Sequence, residues 1–157
     1  MRIETLMNGE RDKYSRLEYR RLIAWPSRIQ READLLERVL SSGPSRRVLD
    51  LGCGTGEHAQ FLGQKGYRVI GVDSSESQIE TARDVPAPTG VEFVHGDLGE
   101  LDSLLTGIFG GAICLGNTLP HLLTPVRLGR FLSGLRDRLA EGAPLLLQLL
   151  NYERIFH

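Results

Sequence analysis

Residues 48–62 read VLDLGCGTGEHAQFL. An apolar run reaches Asp50, and Gly52, Gly54 and Gly56 follow at every second position. Glycine adopts positive φ and, having no Cβ, lets backbone approach a ligand closely. A helix starting near Glu57 adds an N-terminus with unpaired N–H groups and a partial positive charge. Such a turn takes a phosphate or a carboxylate, and three ligand types compete for it. A phosphate-gripping loop needs Lys-Ser or Lys-Thr after its last glycine, where Glu57-His58 stands. A dinucleotide fingerprint needs a small residue at position 57, and a bulky, negative glutamate is a poor neighbour for a pyrophosphate. That disfavours a nicotinamide-dependent oxidoreductase. The third ligand is a zwitterion, with its carboxylate on the loop amides and its ammonium on an acid such as Asp50.

Regular elements must hold these residues. Ile29, Ala33, Leu36 and Leu40 predict a helix over 27–41, capped by Ser27 and stopped by Ser-Ser-Gly-Pro. Five strands are expected in RRVLDLG (46–52), YRVIGVD (67–73), VEFVHGD (91–97), GGAICLGN (110–117) and LLLQLLNY (145–152). Helices are expected in EHAQFLGQKG and in SSESQIETARD, the latter capped by Ser74 or Ser75. A short helix is expected at 99–106, and a long one carries the stripe Leu128, Phe131, Leu132, Leu135 and Leu139. Strands alternating with helical crossovers make a parallel sheet covered on both faces. The unbroken Val, Ile and Leu runs agree with that burial. Right-handed crossovers then give a three-layer, doubly wound, Rossmann-like α/β fold with ligands at the carboxyl ends of the strands.

VLDLGCGTGEHA closely resembles the first motif of class I methyltransferases that use S-adenosyl-L-methionine, and later segments fit in order. The resemblance covers about residues 46–150. It implies a cofactor tail over Asp50, Gly52, Cys53, Gly54 and Gly56. It implies that Asp73, with Ser74 beside it, accepts from both ribose hydroxyls, since two vicinal donors match one bidentate acceptor. Gly96-Asp97 resembles the adenine site, where Asp97 would accept from the exocyclic amine and Leu98 N–H would reach a ring nitrogen. ICLGNTLPHL, with Leu115, Asn117 and His121, resembles the segment flanking the methionyl group and the methyl acceptor. GNTLPHL and LNYERI look like segments of glycine and sarcosine N-methyltransferases and related small-molecule enzymes. There, aromatic and arginine residues upstream of strand one close over the cofactor, and Trp25 and Arg28 are the candidates here. For Trp25 the competing reading is helix packing; for His121 it is a loop histidine beside Pro120.

The reaction so implied is in-line displacement, moving a methyl group to a small-molecule amine or hydroxyl and leaving S-adenosyl-L-homocysteine. The cofactor supplies the activated methyl, and the protein aligns the acceptor within roughly 3–3.5 Å. An amine must arrive unprotonated, which desolvation favours. No catalytic base or triad is expected, because no serine sits in a nucleophile elbow. The Asn-Pro-Pro-Tyr signature of DNA and protein amide methylases is absent after strand four. Class I members usually carry a sixth and a seventh strand, whereas this sequence ends at His157. The expectation is therefore an open edge of Leu145, Leu146, Leu147, Leu149 and Leu150, which invites pairing. That predicts a truncated product of a longer enzyme or an obligate homodimer. A non-catalytic module that only holds the cofactor or its product is the alternative function.

The 157 residues suit one domain, with an N-terminal helical segment at 1–43 and a cofactor-binding core at 44–157. A net charge of −1 offers no electrostatic pull toward nucleic acid or an anionic membrane. No apolar run is long enough for a membrane span, and the first residues lack the apolar core of a signal peptide, so the cytoplasm is the expected location. Two cysteines are too few for a disulfide framework and are expected as buried thiols. Cys53, His58 and His95 have no zinc-type spacing, and no metal is expected.

Overall fold

The structure, a computed structural model, describes residues 24–122 and 124–155. The expected helical segment at 1–43 thus lies outside the described residues up to position 23. Helix α1 (Trp25–Leu40) leads into β1 (Arg47–Leu51), α2 (Glu57–Gln64), β2 (Arg68–Asp73), α3 (Glu76–Asp84) and β3 (Val91–His95). A 3-10 turn (Leu98–Glu100), α4 (Leu101–Leu104) and β4 (Gly111–Cys114) follow. Then come a second 3-10 turn (Leu119–Leu122), α5 (Pro125–Arg138), β5 (Leu145–Leu147) and α6 (Tyr152–Ile155).

All five strands are parallel, in the order β3-β2-β1-β4-β5. The chain winds outward through β1, β2 and β3, then returns to the other side of β1 for β4 and β5. The switch point therefore lies between β1 and β4, where the carboxyl ends part and a crevice opens. Alternation along each strand sorts the core into two layers. Val48, Val69, Phe93 and Ile113 pack against Leu36 and Leu40 of α1, Leu62 of α2 and Ile79 of α3. Leu49, Leu51, Val72 and Ala112 pack on the other face with Leu101, Phe131 and Leu135. This is the three-layer, doubly wound sheet expected from the strand–helix alternation.

Local chemistry shifts several boundaries. Helix α1 starts at Trp25, with Ala24 at its N-cap and Pro26 in the first turn, so Ser27 lies inside it and does not cap. Proline's fixed φ suits the first helical turn, and the helix begins there instead. Ser75 is the N-cap of α3, but its hydroxyl meets Ser77 Oγ at 3.1 Å, and Asp73 Oδ1 accepts the Ser75 N–H at 2.9 Å. The helix expected at 99–106 divides into the 3-10 turn, which Asp97 caps by accepting from Gly99 N–H at 2.7 Å, and the four residues of α4.

Strand β5 is shorter than LLLQLLNY suggests. It pairs with β4 from Ala112↔Leu145 to Cys114↔Leu147, and Gln148 N–H makes one last bond to Cys114 O at 3.0 Å. Gly116 and Asn117 then take positive φ, 67° and 64°, and turn the partner away. No ladder remains for the residues that follow, and Asn117 Oδ1 accepts from Leu150 N–H instead. β5 is an edge strand, with Leu147, Leu149 and Leu150 exposed.

Candidate functional site

The loop between β1 and α2 is tied to its neighbours through its amides. Gly52 and Cys53 N–H both donate to Val72 O, at 2.8 and 3.1 Å, and Gly56 N–H donates to Cys53 O at 3.0 Å. Gly54 N–H donates to Asp73 Oδ2 at 2.8 Å. All four of these N–H groups have protein acceptors. The three glycines also differ in use. A Cβ on Gly52 would meet Thr118 at 2.3 Å, and one on Gly56 would meet Phe93 at 2.5 Å. At Gly54 the nearest atom is Gln78 Oε1 at 3.8 Å, so this residue alone of the three presents an open face. Gly96 is spent on packing, since a Cβ there would meet Leu104 at 2.4 Å.

Asp50 points to the α1/α2 side of the sheet and is 1% exposed. Its Oδ2 has no hydrogen-bond partner among the described residues. Burial pushes its carboxyl up to about 6; His58 counters this in part, while Asp73 and Glu57 add to it. A buried carboxylate oxygen without a partner among the described residues, near two other acids, is stabilised by a donor that carries positive charge. With the open face of Gly54, this makes an environment that fits the ammonium end of a zwitterionic ligand.

Asp73 ends β2. Its Oδ1 serves Ser75 N–H and its Oδ2 serves Gly54 N–H, which leaves each oxygen capacity for one further donor. That residual capacity suits two vicinal hydroxyls. Ser74 is exposed, and its carbonyl meets His95 Nε2 at 3.1 Å. Gly96 N–H donates to Asp73 O at 2.9 Å and holds the ends of β2 and β3 together. Asp97 carries the Gly99 N–H on one oxygen and an ion pair with Arg127 on the other. The proposed acceptor of an exocyclic amine is therefore shared with a guanidinium. Leu98 beside it is buried.

Beyond β4, Leu115 is buried and its carbonyl accepts from Thr118 Oγ1 at 2.8 Å. His121 is exposed on the second 3-10 turn, with its N–H on Thr118 O at 3.0 Å. Helix α1 closes the same end of the sheet. Arg28 lies over the Trp25 ring, 5.1 Å from its centroid, and its Nε donates to Glu32 at 3.1 Å. Glu32 Oε2 is 2.7 Å from His58 Nε2, and the Trp25 and His58 rings stack edge-to-face at 5.3 Å. Burial pushes Glu32 up, but the His58 hydrogen bond and the Arg28 charge outweigh it and hold its carboxyl below the usual value. Arg28 Nη2 reaches Gln148 Oε1 at 3.1 Å. Trp25 Nε1 is buried without a partner among the described residues.

The structure thus gathers Trp25, Arg28, Asp50, Gly52–Gly56, Asp73, Ser74, Asp97, Leu115, Asn117 and His121 at one end of the sheet. Sequence reasoning missed Glu32, Arg127 and Gln148, and read His58 only for metal spacing. Glu32 carried a signal, four residues after Arg28 on a helix; Gln148 stood alone in LLLQLL as a polar residue in an apolar strand. Both cysteines are buried and free. Burial, with Asp50 nearby, pushes the Cys53 thiol well above its ordinary value and Cys114 to about 12, so both thiols stay protonated and unreactive at neutral pH.

Residues 48–142 match the family described as "Methyltransferase domain". The chain is 31% identical over 141 residues to a glycine/sarcosine N-methyltransferase of Parasynechococcus marenigrum, covering 86% of this chain and 49% of that protein. It is 28% identical over 148 residues to an 18S rRNA (guanine-N(7))-methyltransferase of Mus musculus, covering 87% and 52%. Among solved structures it resembles CalS10 of Micromonospora echinaspora, an amino pentose methyltransferase with S-adenosylmethionine bound. That match has a TM-score of 0.68 and 27% identity, covering 84% of this chain and 54% of that one. The chain spans about half the length of the curated relatives it matches.

Proposed function

Because the chain belongs to the methyltransferase-domain family, we propose that it binds S-adenosyl-L-methionine at the carboxyl ends of β1–β4 and presents its methyl to a small-molecule amine or hydroxyl. The observation that carries this reading is Asp73, locked to Gly54 N–H yet with acceptor capacity left for two hydroxyls. When bound, the cofactor supplies an electrophilic methyl on a sulfonium. The roles of this chain's own residues follow from their chemistry. Asp50 offers the orphaned carboxylate oxygen to the ammonium, and Gly54 gives the tail room to lie close. With the Gly52, Cys53, Gly54 and Gly56 amides engaged, Arg28 is the cationic group we assign to the carboxylate. Asp97 accepts from the adenine amine beside Arg127, and Leu115, Asn117 and His121 border the methyl.

A small acceptor is favoured over nucleic acid by the net charge of −1, which gives no overall electrostatic pull toward a polyanion. No helix among the described residues is long and apolar enough to cross a membrane.

Calorimetric titration with S-adenosylmethionine and S-adenosylhomocysteine tests the cofactor, and transfer of a labelled methyl to a panel of amines and hydroxylated metabolites tests turnover. Binding without transfer would leave the holding module as the function. No binding would end the reading.

A further inference from the structure

We propose that Gln148 positions Arg28 for the carboxylate of the ligand's amino-acid tail, a role that rests on the cofactor reading above. Gln148 follows β5, and its Oε1 accepts two hydrogen bonds, from Arg28 Nη2 at 3.1 Å and from Gly116 N–H at 3.0 Å. One side chain thus joins three separate parts of the crevice: the N-terminal helix, the end of β4 and the end of β5. The tie to Arg28 spans 120 residues of sequence.

The rest of the arginine is held as firmly. Nε is engaged by Glu32, and the guanidinium lies on the Trp25 ring. A Cβ built on Gly116 would stand 3.8 Å from Arg28 Nη2, so the guanidinium hangs directly over the carboxyl end of β4. Among the described residues no acceptor meets Nη1. The arrangement fixes one end of the guanidinium fork and leaves the other to an incoming anion.

A carboxamide suits this task better than a carboxylate. Its oxygen orients Arg28 without adding a negative charge, and Glu32 already divides its own charge between Arg28 and His58. A second acid here would satisfy the arginine and remove its attraction for a ligand carboxylate.

Two ligands and three variants test the proposal by calorimetry. S-Adenosylhomocysteine carries the amino-acid tail; 5′-methylthioadenosine has the same nucleoside without it. Gln148→Ala is expected to weaken the first by about 5- to 10-fold, the range for losing the orientation of one charged hydrogen-bond donor. The second should bind as in the parent. Gln148→Glu should weaken the first further and again spare the second. Arg28→Ala should weaken only the first, by more than Gln148→Ala does. The proposal is overturned if Gln148→Ala binds S-adenosylhomocysteine as tightly as the parent does, or if both ligands weaken equally, which marks a merely structural role. If the parent binds neither ligand, the cofactor reading itself has failed. If Arg28→Ala leaves both affinities unchanged, the assignment of the carboxylate to Arg28 has failed, and this proposal with it.

Discussion

Asp73 accepts the Gly54 N–H at 2.8 Å, so the acid ending β2 and the middle glycine of the loop after β1 form one unit. The pair explains how a turn rich in glycine keeps a single shape. Glycine is the most permissive residue, and an unanchored run of it would sample many conformations. Here the next strand holds it by three bonds, two to Val72 O and one to Asp73. The side chain that anchors the loop is also the one left with capacity for two donors.

Replacing Asp73 should therefore cost stability as well as binding. Asp73→Ala leaves the Gly54 and Ser75 N–H groups without their acceptors. A loss of about 1–3 kcal/mol is expected, read from the denaturant midpoint. Affinity for S-adenosylhomocysteine should fall by about 100-fold or more, as two charge-assisted hydrogen bonds are lost. Asp73→Asn can keep one N–H acceptor, so it should recover part of the stability but little of the affinity. An Asp73→Ala protein that bound the ligand as the parent does would remove the ribose role.

The fold was legible because its signals are local. Apolar runs and helix stripes appear in order along the chain, and Asp50, Asp73 and Asp97 lie at or within two residues of the ends of three successive strands. What escaped depends on distance. The length of β5 is set by where β4 turns away at Gly116 and Asn117, which the leucines of 145–150 cannot reveal. The loop amides looked free for a ligand, yet those of Gly52, Cys53 and Gly54 find acceptors in Val72 and Asp73, about twenty positions later. Arg127 and Gln148 reach the site from 30 and 120 residues away from their partners, and no spacing rule joins them.

The glycines make a sharper test of where the ligand lies. Gly54 and Gly56 both have positive φ, +54° and +85°, so alanine at either is strained by roughly 1–2 kcal/mol. At Gly56 the added methyl would also collide with Phe93 at 2.5 Å, which should destabilise the protein by more than the strain alone. At Gly54 no atom lies nearer than 3.8 Å, and only the strain should register in the melting temperature. Gly54→Ala should nonetheless abolish binding of S-adenosylhomocysteine, because its methyl would occupy the open face. If a folded Gly54→Ala protein kept the parent's affinity, the tail would have to lie elsewhere.

Asp50 gives the prediction for pH. Burial raises its carboxyl from 3.8 to about 6 in the folded chain. Between those values the folded state binds more protons than the unfolded state, so stability falls as pH rises. Above about 6 the penalty is complete, on the order of 3 kcal/mol from the roughly two-unit shift. Asp50→Asn should remove that slope and be the more stable form above pH 6 when no ligand is present. A ligand ammonium reverses the balance, because it favours the ionised carboxylate and lowers its pKa. Binding of S-adenosylhomocysteine should then release a proton below pH 6, and affinity should weaken as pH falls, by up to about tenfold per unit. His58 and Glu32 also face this corner, so 5′-methylthioadenosine serves as the control. It has no ammonium, and its affinity should vary little over the same range. Titrations of parent and Asp50→Asn from pH 5 to 7.5 in buffers of different ionisation enthalpy read both the affinity and the proton release. Equal pH slopes for the two ligands, or a slope that survives in Asp50→Asn, would take the ammonium away from Asp50.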